Sequence, residues 1–263
     1  MSFTDIARLV LLQPLFNLFV FLATIWPFGD NVAFAVVAIT VLIRVALLPF
    51  SRATIKNQQV MHHIQPELKR LQGEHKGDQA KIAQETMALY RRHGMNPASG
   101  CLPALAQLPI LIVLFYVFRN IFRHDLLYGF LLSRFPTEEA FRAALDTSFF
   151  GIDLAQPNLW VLPVITGILQ FIQSWQMLPP KKDLKTHEGA DMQTQLSRQM
   201  TFIFPIMTIF ISRSLPAALP LSWSVTTLFM IIQQWWMSRS LKLAQVAAPA
   251  VEVTVRKREK SRS

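Results

Sequence analysis

Only one cysteine, Cys101, occurs in the 263 residues, so no internal disulfide can staple the chain. Alone, it reads as a small apolar packing residue. Charge is scarce as well: 16% of the residues are Asp, Glu, Lys or Arg, against about 25% in a typical soluble domain. What charge there is leans one way, with 26 Lys and Arg against 16 Asp and Glu, a net +10 and a pI near 10.2. Such an excess suits anionic lipid or ribosomal RNA; DNA is not an expected partner. No glycine-rich phosphate loop is present, so the sequence offers no nucleotide site. Strand-type alternation is missing from the apolar runs, which argues against a transmembrane barrel.

What the chain has in quantity is apolar surface: 52% of its residues are hydrophobic and the mean hydropathy is +0.32. Windows of about 19 residues pick out five runs able to cross a bilayer: Val32 to Phe50, Leu102 to Phe122, Leu159 to Leu178, Met200 to Leu215, and Leu219 to Met237. Unpaired backbone groups are costly in hydrocarbon, so these runs predict an all-α integral membrane protein. Pro216 and Pro220 predict a tight turn between the last two runs. Ile6 to Trp26 is long enough to span, but Gln13, Asn17 and Thr24 share a narrow helical stripe, which suits an interfacial helix. A sixth span is the alternative. Asp5 and the interruptions at Gln13, Pro14 and Asn17 argue against a cleaved signal peptide.

The bases are segregated. Arg52, Lys56, Lys69, Arg70, Lys76, Lys81, Arg91 and Arg92 lie between the first two runs. Lys181, Lys182, Lys185 and Arg198 lie between the third and fourth. The segment 123–158 is instead mildly acidic. Counting runs in order puts every basic cluster, and the C-terminus, on one face, which the positive-inside rule makes the cytoplasm. Residues 1–30 therefore form an N-terminal unit and 31–240 a five-span core, while 241–263 form a basic, aperiodic tail. Within the core, 51–100 should be a cytoplasmic helical hairpin and 123–158 extracytoplasmic. The hairpin pairs Ser51–Gln72 with Asp78–His93 across a breaker-rich Gly73–Gly77 turn, so that Ile55, Met61, Ile64, Leu68 and Leu71 face Ile82, Met87 and Leu89. In the tail, Arg256, Lys257, Arg258 and Lys260 could contact ribosome or lipid, or simply mark the cytoplasmic side.

Arg44 is the most informative residue. It interrupts an apolar run, where an arginine costs roughly 2.5–3.5 kcal/mol at a helix centre. Snorkelling is one explanation, because Arg44 is about six residues, or roughly 9 Å, from the end of its run. Its company favours another. Thr40 shares its helix face one turn earlier. Thr166, Gln170 and Gln173 recur at helical spacing in the third run, and Ser222, Thr226 and Gln233 in the fifth; Gln107 lies in the second. No Asp or Glu occurs in any of the five runs. Aligned polar residues can be interhelical hydrogen bonds, worth about 0.6 kcal/mol each, but around a cation they suggest a hydrated groove. A channel or transporter would use the same groups, yet the halves show no self-similarity. His62, His63, His75 and His93 lack carboxylates at ligand spacing, so no metal site is expected.

The stretch from Asn96 to Pro109, with Asn96-Pro97 at one end and Gln107-Leu108-Pro109 at the other, resembles the signature of the YidC/Oxa/Alb family of membrane protein insertases. Thr40 to Pro49, Leu162 to Gln173 and Ile231 to Gln234 resemble that family's other core spans, in order, over about Gln13 to Leu241. The resemblance implies a five-helix transmembrane core enclosing a hydrophilic groove, with Arg44 as its cation and Thr40 and Trp223 on the substrate path. It implies a chaperone-like insertase, not an enzyme, that needs no cofactor or nucleotide. Its partners would be nascent membrane proteins, lipids, the Sec translocon and the ribosome, in a bacterial plasma membrane. Leu215-Pro216-Ala217-Ala218-Leu219-Pro220 departs from the family's glycine-containing turn. The large extramembrane domain of some relatives and a transit peptide are not expected here.

Overall fold

The computed structural model describes residues 10, 12–24, 31–94, 112, 114–158, 160–177 and 192–247, and it is mostly helical. The motif at Asn96 to Pro109, including Gln107, and the basic tail residues Arg256, Lys257, Arg258 and Lys260 lie outside the described residues.

A short helix α1 (Gln13–Thr24) packs on α2 (Val32–Ala46), and α2 packs on the long α9 (Ala218–Ala247). Helix α9 also packs on α7 (Val161–Met177), which in turn packs on α8 (Met192–Ser212). Helices α7 and α8 approach closely at Gly167, where an added Cβ would lie 2.5 Å from Ile209 Cγ1. Helix α2 stops at Leu47 because Pro49 cannot continue it: the ring lacks an N–H and collides with the carbonyl one turn back. The chain restarts as α3 (Leu48–Glu74) with proline in its first turn. Helix α3 pairs with α4 (Gln79–Arg92) through Ile64, Leu68, Leu89 and Tyr90. Gly77 turns the corner at φ +100°, and the Asp78 carboxylate caps α4 by accepting from Lys81 N–H. The hairpin thus forms with boundaries shifted by a few residues from those expected, and Met87 faces outward.

The apolar core sits at one end of the bundle. Phe16, Phe19, Val32, Val36, Ile39, Phe118 and Leu219 meet Leu126, Phe135, Phe141 and Leu154 from the segment 123–158. That segment contains α5 (Phe130–Arg134), α6 (Glu138–Ala143) and a two-stranded hairpin, β1 (Ser148–Phe149) with β2 (Ile152–Asp153). Asn17 and Thr24, the stripe that suggested an interfacial helix, turn inward. The Asn17 amide donates to Leu126 O at 2.9 Å and its oxygen accepts from Tyr128 N–H at 3.1 Å. What α1 shows outward is apolar: Leu18 and Phe21.

Among the described residues, no helix is both long and apolar enough to cross a membrane alone. The reasons are local. Helix α2 has 15 residues, about 22 Å, against a hydrocarbon core of about 30 Å. Helix α7 has 17, α8 opens on a polar turn, and α9 is interrupted by Ser, Thr and Gln. Most of the expected second run lies outside the described residues.

One clasp fixes the start of α2. Asn31 caps the helix by accepting from Ala33 N–H at 2.8 Å. Its amide donates to Ser148 O at 2.8 Å and to Asp146 Oδ2 at 3.3 Å. Asn31→Ala should cost about 1 kcal/mol for the cap, with a further loss for the two donated bonds, read as a lower melting temperature in detergent. The Ser148 backbone N–H, then its hydroxyl and the Asn31 amide, holds the Asp146 carboxyl below its ordinary range. Its stabilising effect is complete above the unfolded pKa of about 3.9 and is lost as pH falls through the lower folded value. Acid melting curves should show this loss, and Asp146→Asn should remove it.

Candidate functional site

Three helices carry the residues expected to line a groove: Thr40 and Arg44 on α2, Gln170 and Gln173 on α7, and Trp223, Thr226 and Gln233 on α9. Helix α9 lies between the other two, packed against both. All three helices start at the same end of the bundle. Ala217 and Ala218 N–H donate to Gln156 O and Leu154 O, at 2.9 and 3.0 Å, while Val32 N–H donates to Asp146 O at 2.8 Å. Helix α7 begins only five residues beyond Gln156.

From that common end the interior changes along each helix. On α2 the buried residues run from Val32, Ala33, Ala35, Val36 and Ile39 to Thr40 and Arg44. On α9 they run from Ala218, Leu219 and Leu221 to Ser222, Ser224, Thr227 and Gln233. On α7 buried Leu162 gives way to Thr166 and then to the half-buried Gln170 and Gln173. The bundle is therefore dry where the segment 123–158 caps it and polar further along.

Arg44 is only 9% exposed, in the last turn of α2. The helix dipole is negative there and favours a cation by about 0.3–1 kcal/mol. Pro49 ends the helix just beyond, so the negative end of α2 falls within one turn of the Arg44 backbone. Thr40 is 2% exposed and donates back to Val36 O at 2.6 Å. The Gln173 amide donates to Met230 Sδ at 3.4 Å, tying α7 to α9. Gln233 is buried with its amide 4.0 Å from Met237 Sδ. Sulfur is a weak acceptor, so both amides keep unused capacity. Trp223 and Thr226 are half-buried.

Gln170 is the clearest case of an unmet polar group. Its amide oxygen is buried and accepts no hydrogen bond among the described residues, a situation that costs about 1–3 kcal/mol. Thr166, one turn earlier, belongs to a helix clasp: its Oγ1 lies 2.9 Å from Ser224 Oγ and 3.0 Å from Pro220 O. Part of the polar stripe on α7 is thus spent on holding helices together. Sequence reasoning did not single out Met230 and Met237 as partners, nor the buried Thr201 and Thr208 on α8. Thr201 and Thr208 are seven residues apart, two turns on one face, and that spacing was the available signal.

The fold and site together define a class: helical proteins whose bundle closes over an apolar core at one end and whose helices bury polar residues, Arg44 among them, further along. Comparison with known proteins narrows this. The profile of the family described as 60Kd inner membrane protein matches residues 24–245. The chain belongs to that family, the YidC/Oxa group of membrane-embedded proteins. It is 33% identical over 210 residues to the membrane protein insertase YidC of Fusobacterium nucleatum, covering 80% of this chain and 87% of that protein. It is 32% identical over 225 residues to the membrane protein insertase MisCA of Bacillus subtilis, covering 84% and 74%. The YidC of Staphylococcus aureus is 33% identical over 217 residues, with 78% and 66% covered.

Gln170→Leu should raise thermal stability, because a nearly isosteric apolar side chain removes a buried acceptor worth about 1–3 kcal/mol. A drop in melting temperature would show that the amide is satisfied in place. The Thr166–Ser224 contact should give a coupling of about 0.6 kcal/mol in a double-mutant cycle of Thr166→Val and Ser224→Ala.

Proposed function

We propose that the chain is a bacterial plasma-membrane insertase, which moves client membrane proteins into the bilayer through a hydrated groove around Arg44 and hydrolyses no nucleotide. The observation that carries this reading is the shared change of interior along α2, α7 and α9, from apolar under the cap to polar further along, where α2 buries Thr40 and Arg44. The names of its relatives support the same activity.

The physics follows from that gradient. A guanidinium in hydrocarbon is costly, so a groove holding Arg44 is stable only when hydrated or otherwise satisfied. A polar or acidic client segment can enter such a groove without losing all its solvation, and it meets a favourable potential near Arg44. The amides of Gln170, Gln173 and Gln233 offer donors and acceptors to a client backbone that has no partners of its own. Thr40, Thr226, Trp223 and Gln107 would line the same path. Because α2 is about 22 Å long, the bilayer beside the groove would be thin, and the barrier left for the client's polar segment correspondingly low. The client's own helix then leaves for lipid, gaining about 25 cal/mol per Å² of apolar surface removed from water.

In this reading five helices span the membrane within residues 31–240. Residues 51–100 are a cytoplasmic hairpin, 123–158 an extracytoplasmic cap, and 241–263 a cytoplasmic tail. Asn17 is bonded to Leu126 and Tyr128, which supports placing α1 beside the cap, within an N-terminal unit of residues 1–30. Arg256, Lys257, Arg258 and Lys260 would contact ribosome or anionic lipid, and the Sec translocon is a candidate partner for clients with several spans.

Arg44→Ala should reduce insertion of a single-span client with an acidic tail by about tenfold, equivalent to ~1.4 kcal/mol of lost attraction. Arg44→Lys should retain most of it. The measurement is protease protection of several clients in depleted cells or proteoliposomes. Equal insertion by both variants for every client would exclude Arg44 as the groove cation.

A further inference from the structure

Phe150 is 93% exposed, although its neighbours Phe149 and Ile152 pack against the core. It occupies the turn between β1 and β2 with Gly151, and both residues have positive φ, +46° and +79°. Two-residue turns of this kind favour asparagine followed by glycine. A bulky aromatic in the left-handed region is an outlier, because its Cβ crowds the following carbonyl. Glycine or asparagine would adopt this turn with less strain; the Phe150 ring meets Phe149 edge-on, centroids 4.8 Å apart, but that contact leaves nearly all of its surface outside.

The hairpin's position supplies an explanation. Its base is bonded to the α2 cap through Ser148 O and Asn31, and the chain leaving β2 is bonded to the start of α9 through Leu154 O and Ala218 N–H. Phe150 is two residues from Ser148, at most about 7 Å of chain. It therefore lies close to the level at which α2 and α9 begin. Other exposed aromatics belong to the same capped end: Trp160 directly before α7, and Tyr128 and Phe130 in the cap. Trp and Tyr gather at the boundary between headgroups and acyl chains, and on interfacial segments Phe buries its ring about 5–10 Å into the same boundary.

The geometry points to the Phe150–Gly151 turn as an anchor that inserts into the outer leaflet and sets the depth of α2. The inference rests on the membrane placement proposed above. The occupant is lipid, because the exposed ring sits beside the ends of apolar helices on a segment those helices already hold. The consequence reaches the groove. Val32 N–H is bonded to Asp146 O, so the hairpin and the start of α2 move together. Arg44 follows 12 residues later, about 18 Å along the helix.

The test uses the full chain in proteoliposomes with Cys101→Ala and one environment-sensitive dye on a new cysteine. Phe150→Cys, Ile168→Cys on the exposed face of α7, and Glu139→Cys on the cap are compared. Quenching is measured with spin labels carried near the headgroup or deep in the acyl chain. The expected result is shallow quenching at 150, deep quenching at 168 and none at 139. A water-exposed dye at 150 with a deep one at 168 overturns the anchor and leaves the membrane reading intact. Water-exposed dyes at both 150 and 168 overturn the membrane placement itself. Equal shallow quenching at 150 and 139 assigns the signal to the dye and overturns the anchor. Phe150→Asn should keep or raise the melting temperature by relieving the turn, yet shift the depth read by a dye on Leu42→Cys in α2. An unchanged depth there overturns the depth-setting role.

Discussion

The starts of α2 and α9 need acceptors for backbone N–H groups that their own first turns cannot satisfy. Apart from Ala33, which the adjacent Asn31 caps, these groups bond here to one segment of chain. Asp146 O takes Val32, Asn31 Oδ1 takes Ala33, and Gln156 O and Leu154 O take Ala217 and Ala218. The bonds bring two helices, far apart in sequence, to a common level. The apolar face of that segment, with Leu126, Phe135, Phe141 and Leu154, then seals the end of the bundle.

With one end sealed, polar residues are buried only where the seal stops. Thr40 and Arg44 follow Ile39 on α2, and Ser222 to Gln233 follow Leu221 on α9. Some of these groups hold the helices together, as Thr166 and Ser224 do. Others are poorly satisfied within the bundle, Gln170 most clearly. A protein that bound only its own helices would gain by replacing such an amide. A protein that lent hydrogen bonds to passing segments, as proposed above, would need amides with spare capacity, and the apolar packing at the capped end would offset their cost.

Several elements were legible in the sequence because they depend on local rules. The polar hairpin follows from helical periodicity and a Gly77 turn, and Arg44 and Thr40 share a face by spacing alone. The polar stripe on α1 was misleading, because periodicity shows that Asn17 and Thr24 share a side but not which side faces the protein. Carbonyl and amide groups more than a hundred residues away decide that. The expectation of full-length apolar spans met a similar limit. Pro49 shortens α2 to 15 residues, a break that an averaged hydropathy window passes over.

By itself the sequence determined the family, the segregation of charge and the identity of the buried cation, since each rests on residue type and short-range spacing. Tertiary structure alone decided that α2, α7 and α9 begin at one end of the bundle, that the segment 123–158 seals that end, and that the Gln170 amide oxygen accepts no hydrogen bond among the described residues. Those facts depend on bonds and packing between parts of the chain that no periodicity connects. The side of each helix that faces its neighbours, and so whether a polar residue serves as clasp or as lining, exists only once the helices are packed.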